Sequence, residues 1–346
     1  VFGTRPEAVK LAPLVLALRK RGVGSVEVCS TGQHRDMVMH VLRFFGIQVD
    51  IDLALMTPGQ ALHDSASRVL DKLGEVFTER RPRWVIVQGD TTTAFMSSVA
   101  AAYAGCRIAH VEAGLRTGTR LSPFPEELNR RAISVFADLH FAPTSTARDN
   151  LLREGIHSSQ VKICGNTVVD ALHHILREKD AEAYTKTEVK DTLRFLDARK
   201  RTVLVTLHRR ENFPRLLNIL RALRDLGQMR NDIEFVLPVH PNPSVRHAVK
   251  VAFNLVGDHS IDSSTWDHVC PCSRIHLVHP LDYEHFICLL QHSYMVITDS
   301  GGVQEEACSL GKPLVVLREH TERVEGIEAG VGILAGAVRL HARQSG

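Results

Sequence analysis

Three acids fall where the chain's pattern puts loops at the ends of buried strands. Asp90 follows the run Trp84 to Gln88, Glu112 follows Arg107 to Val111, and Glu126 opens a helix after Pro123-Phe124-Pro125. Clustered carboxylates drive one another's pKa values apart, which yields one proton donor and one acceptor. Taken singly, Asp90 could instead cap the helix that starts near Thr91, and Glu126 could simply favour its helix N-terminus. A second set is suited to anions. Ser300-Gly301-Gly302 lies between a buried strand and the helix Val303 to Ser309, where glycine lets a ligand approach the backbone and the helix end offers free N–H groups. Glu306, one turn into that helix, could accept hydrogen bonds from a ribose diol or be a solvated helix acid. Arg5 supplies a guanidinium fork for phosphate oxygens, or an ordinary surface ion pair. His208, beside Arg209 and Arg210, could hold or protonate a leaving phosphate, or be a structural histidine satisfied by backbone. His240, just past Phe235 to Pro238, could line the same cleft or be structural, and Arg323 in Thr321-Glu322-Arg323 adds a further cation.

These residues need a frame, and the hydrophobic pattern supplies one. Val26-Cys29, Trp84-Val87, Arg107-Val111, Leu139-Ala142 and Val161-Cys164 read as buried parallel strands. Helical segments alternate with them, including Glu7 to Arg21 (entered after Pro6, stopped by Gly22 and bent at Pro13), Arg35 to Phe45 and Leu62 to Thr78. The charged stretch Asp180 to Lys200 reads as linker and helix. The alternation then restarts with strands at Thr202-Thr206, Phe235-Pro238, Ile275-Val278, Met295-Thr298 and Leu314-Leu317. This predicts an α/β protein of two doubly wound Rossmann-like domains facing a cleft, 1–175 with the acids and 176–346 with the anion loop. In such sheets ligands sit at the carboxyl ends of strands, where the polar clusters fall.

Composition bounds the function. The 346 residues carry 42 basic and 39 acidic side chains, a formal net charge of +3, too even for a nucleic-acid binder. The 19 histidines are scattered without zinc-like spacing, so no metal is expected. Of the seven cysteines, Cys29, Cys106, Cys164 and Cys288 lie in apolar stretches and read as buried thiols, while Cys270-Pro271-Cys272 is a weak metal or redox pair. With no disulfide framework, apolar span or signal peptide in view, a cytoplasmic location is expected, with no membrane partner. Val1-Phe2 runs straight into a motif, as if the opening of the first strand lay upstream.

The motifs join into a family pattern. Gly3-Thr4-Arg5-Pro6-Glu7-Ala8, Gln33-His34-Arg35, Gly89-Asp90-Thr91-Thr92-Thr93, His110 to Gly118 and Pro125-Glu126-Glu127 occur in order. So do His208-Arg209-Arg210-Glu211-Asn212 and Asp299 to Glu306. Over roughly 1–330 the chain resembles the non-hydrolysing UDP-N-acetylglucosamine 2-epimerases. The resemblance implies the glycosyltransferase-B fold, a homodimer, and interconversion of UDP-N-acetylglucosamine and UDP-N-acetylmannosamine through a 2-acetamidoglucal intermediate. It implies no cofactor, in keeping with the lack of a G-x-G-x-x-G fingerprint. By the motif match Asp90, Glu112 and Glu126 form the acid/base set and His208 assists at the leaving diphosphate. Arg5, Ser300, Gly301 and Gly302 hold phosphates, Glu306 the ribose, and Lys10 matches a basic position nearby. Gln33, His34 and Arg68 resemble positions that bind a second substrate molecule as activator, although Asp36 stands where some members have glutamine.

The chain also departs from the pattern. Residues 257–273 look like an inserted surface loop, Val324 replaces a common proline, and the usual C-terminal helix is not in view. Competing readings are a hydrolysing 2-epimerase, whose first loop reads Arg-Ala-Asp-Tyr where this chain has Arg5-Pro6-Glu7-Ala8, a glycosyltransferase of the same fold, and a catalytically inactive UDP-sugar-binding protein.

Overall fold

The computed structural model describes residues 1–33, 35–57, 60–180, 196–255, 268–270 and 274–336. The chain divides into two compact units, Val1–His174 and Ile175–Gly346.

In the first unit, α1 (Arg5–Arg21) starts two residues earlier than the sequence suggested, because proline is tolerated in a helix's first turn. Thr4 caps it and Glu7 returns the bond, a complete capping box; Gly22, at φ 60, ends it. The helix continues across Pro13. There follow β1 (Cys29–Ser30), α2 (Arg35–Phe44), β2 (Ile51–Asp52), α3 (Leu62–Arg80), β3 (Trp84–Gln88), α4 (Thr92–Tyr103) and β4 (Arg107–Val111). After α5 (Glu126–Phe136) come β5 (Leu139–Ala142), α6 (Ser145–Arg153), β6 (Val161–Ile163) and α7 (Thr167–Asp180). Strands β3-β4-β5-β6 form one parallel sheet and β1-β2 another. Val1–Phe2 joins the two: Phe2 N–H donates to Cys29 O (3.1 Å) and the Val1 amino group to Ile86 O (3.0 Å). The array therefore reads β2, β1, Val1–Phe2, β3, β4, β5, β6. The chain winds outward one way to β2 and then the other way from β3, which puts the switch between Val1–Phe2 and β3.

The second unit contains β7 (Arg201–Thr206), α8 (Leu216–Met229), β8 (Ile233–Pro238), α9 (Pro243–Ala252), β9 (His268–Cys270), β10 (Ile275–Val278) and α10 (Tyr283–His292). It ends with β11 (Met295–Thr298), α11 (Gly301–Ser309), β12 (Leu314–Val316), α12 (Val324–Glu328) and β13 (Gly332–Leu334). The seven strands run β13-β12-β11-β7-β8-β10-β9. The central strands are buried almost end to end, as strands covered on both faces must be. On α8 the buried residues Leu216, Leu220, Leu223 and Gly227 form one stripe against them. Here the winding reverses between β7 and β11.

Three expectations change. Residues 268–270, read as part of an inserted surface loop, pair antiparallel with β10 in the register Cys270 to Ile275; the rest of 257–273 lies outside the described residues. Most of the linker stretch (181–195) and the tail after 336 lie outside them too. Cys29 and Cys288 are buried, but Cys164 is exposed and Cys106 half-exposed. Cys164 leaves β6, the edge of its sheet, and Cys106, just ahead of β4, packs against the core only partly buried. Strand β1 covers Cys29–Ser30 rather than Val26–Cys29, because the Asp50 carboxylate takes the Val28 N–H (2.6 Å) in place of a strand partner. A cavity of about 830 Å3 lies between α1, α3 and the β1 and β3 edges, lined by apolar side chains such as Leu14, Leu18 and Phe77, and holds none of the candidate residues. Among the described residues no helix is long and apolar enough to cross a membrane.

Candidate functional site

The polar residues of the first unit gather at its switch point. Glu112 is the residue directly after β4 and holds φ 65, a left-handed conformation uncommon for a side-chain-bearing residue. Its Oε2 accepts from Lys10 Nζ on α1 and from Gln88 Nε2 at the end of β3, with all three side chains buried. Lys10, the basic position of the motif match, is an ion-pair partner of Glu112. A buried pair of this kind orients both groups, and removing either leaves an uncompensated charge.

Asp90 is not a helix cap. Thr91 caps α4, its hydroxyl accepting from Ala94 N–H at 3.0 Å. The Asp90 carboxylate instead binds the Arg130 guanidinium, and its main-chain oxygen accepts from Asn129 Nδ2 at 2.9 Å. Both partners lie on α5, whose first residue is Glu126, half-buried at the helix N-terminus.

Two buried groups support this arrangement. Glu7 accepts from Gly3 N–H (3.0 Å), Thr4 N–H (2.8 Å) and the Thr91 hydroxyl (2.6 Å), tying the first loop to the loop after β3. Burial pushes its carboxyl up, against those hydrogen bonds. Gly3 has no room for a side chain, since a Cβ would come within 2.4 Å of the Thr31 hydroxyl and 2.7 Å of the Thr93 hydroxyl. His110, in β4, bonds Gly89 O at 2.7 Å through Nε2. Because a carbonyl only accepts, the ring carries its proton there. Burial lowers its pKa to about 3, and burial lowers that of His140, its register partner on β5.

Arg5 stands at the first position of α1, half-buried. Gln33 is close to the same loop, its Cβ 3.3 Å from where a Gly3 Cβ would stand. Arg68 is exposed on α3 and donates to Thr57 Oγ1 at 3.3 Å. His34 lies outside the described residues, as does the Asp36 side chain.

In the second unit Asp299, fully buried at the end of β11, organises the loop after β7. It accepts from the main-chain N–H groups of His208 (3.1 Å) and Arg209 (3.0 Å) and from Asn212 Nδ2 (3.1 Å). His208 Nδ1 lies 3.3 Å from the same carboxylate, so a side chain orients its ring. The ring stacks on that of the exposed His240, with centroids 5.7 Å apart and planes at 24°. Ser300 precedes α11, which Gly301 and Gly302 open. The Arg323 guanidinium lies against Gly301: a Cβ there would stand 2.3 Å from Nη1. Arg323 is held by Glu305 (2.9 Å) and Glu322, and its loop by Thr321, whose hydroxyl donates to Gln304 Oε1 at 2.9 Å. Glu306 is buried and accepts from the Tyr283 hydroxyl at 2.7 Å, which removes the reading as a solvated helix acid.

Sequence reasoning missed Gln88, Asn129, Arg130 and Tyr283. The spacing 126, 129, 130 was a usable signal, because residues three and four apart share a helix face. Among the described residues no group of three or more His, Cys, Asp or Glu could hold a metal ion.

Two Rossmann-like α/β units of this kind define the glycosyltransferase-B class. The family model for UDP-N-acetylglucosamine 2-epimerase matches residues 16–344. The Escherichia coli (strain K12) UDP-N-acetylglucosamine 2-epimerase is 44% identical over 337 residues, covering 97% of this chain and 85% of that protein. The UDP-GlcNAc 2-epimerase of Neisseria meningitidis, solved bound to UDP-GlcNAc, superposes with a TM-score of 0.89 at 40% identity, over 97% of this chain and 86% of that one. The Methanocaldococcus jannaschii enzyme, solved in complex with UDP-GlcNAc and UDP, gives 0.82 at 30% identity, over 97% and 88%. The chain belongs to the UDP-N-acetylglucosamine 2-epimerase family.

Proposed function

We propose that the chain is a non-hydrolysing UDP-N-acetylglucosamine 2-epimerase that works without a cofactor. The observation that carries this reading is the pair of acids just past the ends of the neighbouring strands β3 and β4. Asp90 and Glu112 each have a buried cation of their own, Arg130 and Lys10. Inverting C2 needs proton removal on one face of the sugar and delivery on the other, so two separately supported acid/base groups suit it. In the forward half, a base takes the C2 proton, the C2–H electron pair becomes the C1=C2 bond of 2-acetamidoglucal, and UDP leaves with the C1–O pair. In the return half, a UDP oxygen re-adds at C1 while C2 gains a proton on the opposite face. Atoms and electrons balance without an external oxidant. Glu126 completes the acid set.

The second unit supplies the nucleotide contacts in this reading. The amides opening α11 and the Arg323 guanidinium suit the diphosphate, Glu306 the ribose diol, and His208, steadied by Asp299 and backed by His240, the leaving phosphate. Arg5 of the first unit adds a further cation for phosphate. The solved relatives named as bound to UDP-GlcNAc and UDP support that ligand class. The first loop, Arg5-Pro6-Glu7-Ala8, supports the non-hydrolysing subtype. An activating second substrate near Gln33 and Arg68, a homodimer and a cytoplasmic location belong to the same proposal.

Proton NMR of the purified chain with UDP-N-acetylglucosamine in deuterated water tests it. The expected result is deuterium at C2 together with UDP-N-acetylmannosamine. Free N-acetylmannosamine with UDP would move the chain to the hydrolysing class. UDP binding without exchange would make it a binding protein.

A further inference from the structure

We infer that Arg130 is a positioning residue for the proton chemistry, fixing the Asp90 carboxylate from within the helix that Glu126 opens. The inference rests on the reaction proposed above. Arg130 follows Glu126 by four residues, so both stand on one face of α5. Its buried guanidinium binds Asp90 Oδ2, and its Nη1 lies 3.7 Å from Glu127 Oε2. Asn129 holds the Asp90 main-chain oxygen at 2.9 Å, so α5 grips Asp90 through side chain and backbone together. Glu127, wholly buried, accepts from Thr117 N–H at 3.1 Å, in the loop that leaves Glu112. One helix thereby carries Glu126, holds Asp90 and pins the segment downstream of Glu112. Arginine suits the position because its planar fork, always charged, reaches two carboxylates at fixed angles, whereas lysine offers a single point charge.

The test compares R130M, R130K and the wild-type chain, with R131M as control. Arg131 is the neighbouring cation, exposed and paired with Glu154 at 3.4 Å. Turnover of UDP-N-acetylglucosamine and UDP affinity by calorimetry are read for each. R130M should lose about 100-fold in kcat, the scale of a misplaced catalytic group. Its KM and UDP affinity should stay within about threefold of wild type. R130K should fall between the two, millimolar guanidinium ion should restore part of the R130M rate, and R131M should match wild type. A kcat loss accompanied by an equal loss of UDP affinity would mark a merely structural role and overturn the inference. So would a wild-type kcat in R130M or, where R130M does not fold, in R130K. No epimer from the wild-type chain would instead overturn the reaction itself, and the inference with it.

Discussion

His110 sits two residues before Glu112 with its ring sealed from solvent, and its charge state couples the site to acid stability. An unfolded histidine titrates near 6.5, while burial holds this one at about 3. Between those values the unfolded chain binds the additional proton and the folded chain does not. Stability present above about pH 6.5 is therefore lost as pH falls toward 3, at about 1.4 kcal/mol per pH unit from this group. Urea unfolding between pH 6 and pH 4, about two units within that window, should show His110→Gln with a shallower pH slope than wild type, by about one proton. An unchanged slope would assign the acid sensitivity to other groups. The three acids were legible in the sequence because each follows a strand or opens a helix, places where a carboxylate has little to do for packing. Gln88 and Arg130 were not, because they act through another side chain, and only the fold brings residue 130 to residue 90.

At the scale of elements, glycines that permit close approach matter more than those that only turn the chain. Gly114 holds φ 87 in the loop after Glu112, and a Cβ there would stand 2.1 Å from the main-chain oxygen of Ala147 on α6. Backbone on both sides leaves nothing flexible to move, so Gly114→Ala should destabilise by about 3 kcal/mol or more, read by chemical denaturation. A loss under about 1 kcal/mol would mean that α6 shifts freely. The strand runs were readable because strands covered on both faces appear as unbroken apolar stretches, and β4, β5, β10 and β11 match their predicted bounds. Strand β1 was not readable, since Asp50 displaces a ladder bond that the local pattern of Val26 to Cys29 would have granted. Residues 268–270 were missed for a related reason: a three-residue antiparallel strand is too short to show alternation.

At the scale of the whole molecule, each unit has its own buried core. Val203, Leu220, Phe235 and Leu277 belong to that of the second, and Val69, Leu73, Val87 and Ile108 to that of the first. Two cores allow two melting transitions. If the second unit holds UDP as proposed, saturating UDP should raise its transition, by about 2.7 kcal/mol at a hundredfold excess over the dissociation constant. Scanning calorimetry on the intact chain, with and without UDP, reads this. A shift confined to the first unit's transition would relocate the nucleotide.

The outermost strands have a separate consequence. β2 is two residues long, and β6, β9 and β13 are three each. The longer apolar ladders β4, β7 and β8 lie inside their sheets, and the open side of β3 is met by Val1–Phe2. A sheet edge is a template for a stray strand in proportion to the unpaired length it shows, and short edges are one way proteins blunt it. The two-residue pairing of β1 with β2 and the antiparallel addition of β9 thus act against aggregation, leaving a neighbouring copy little ladder on which to extend.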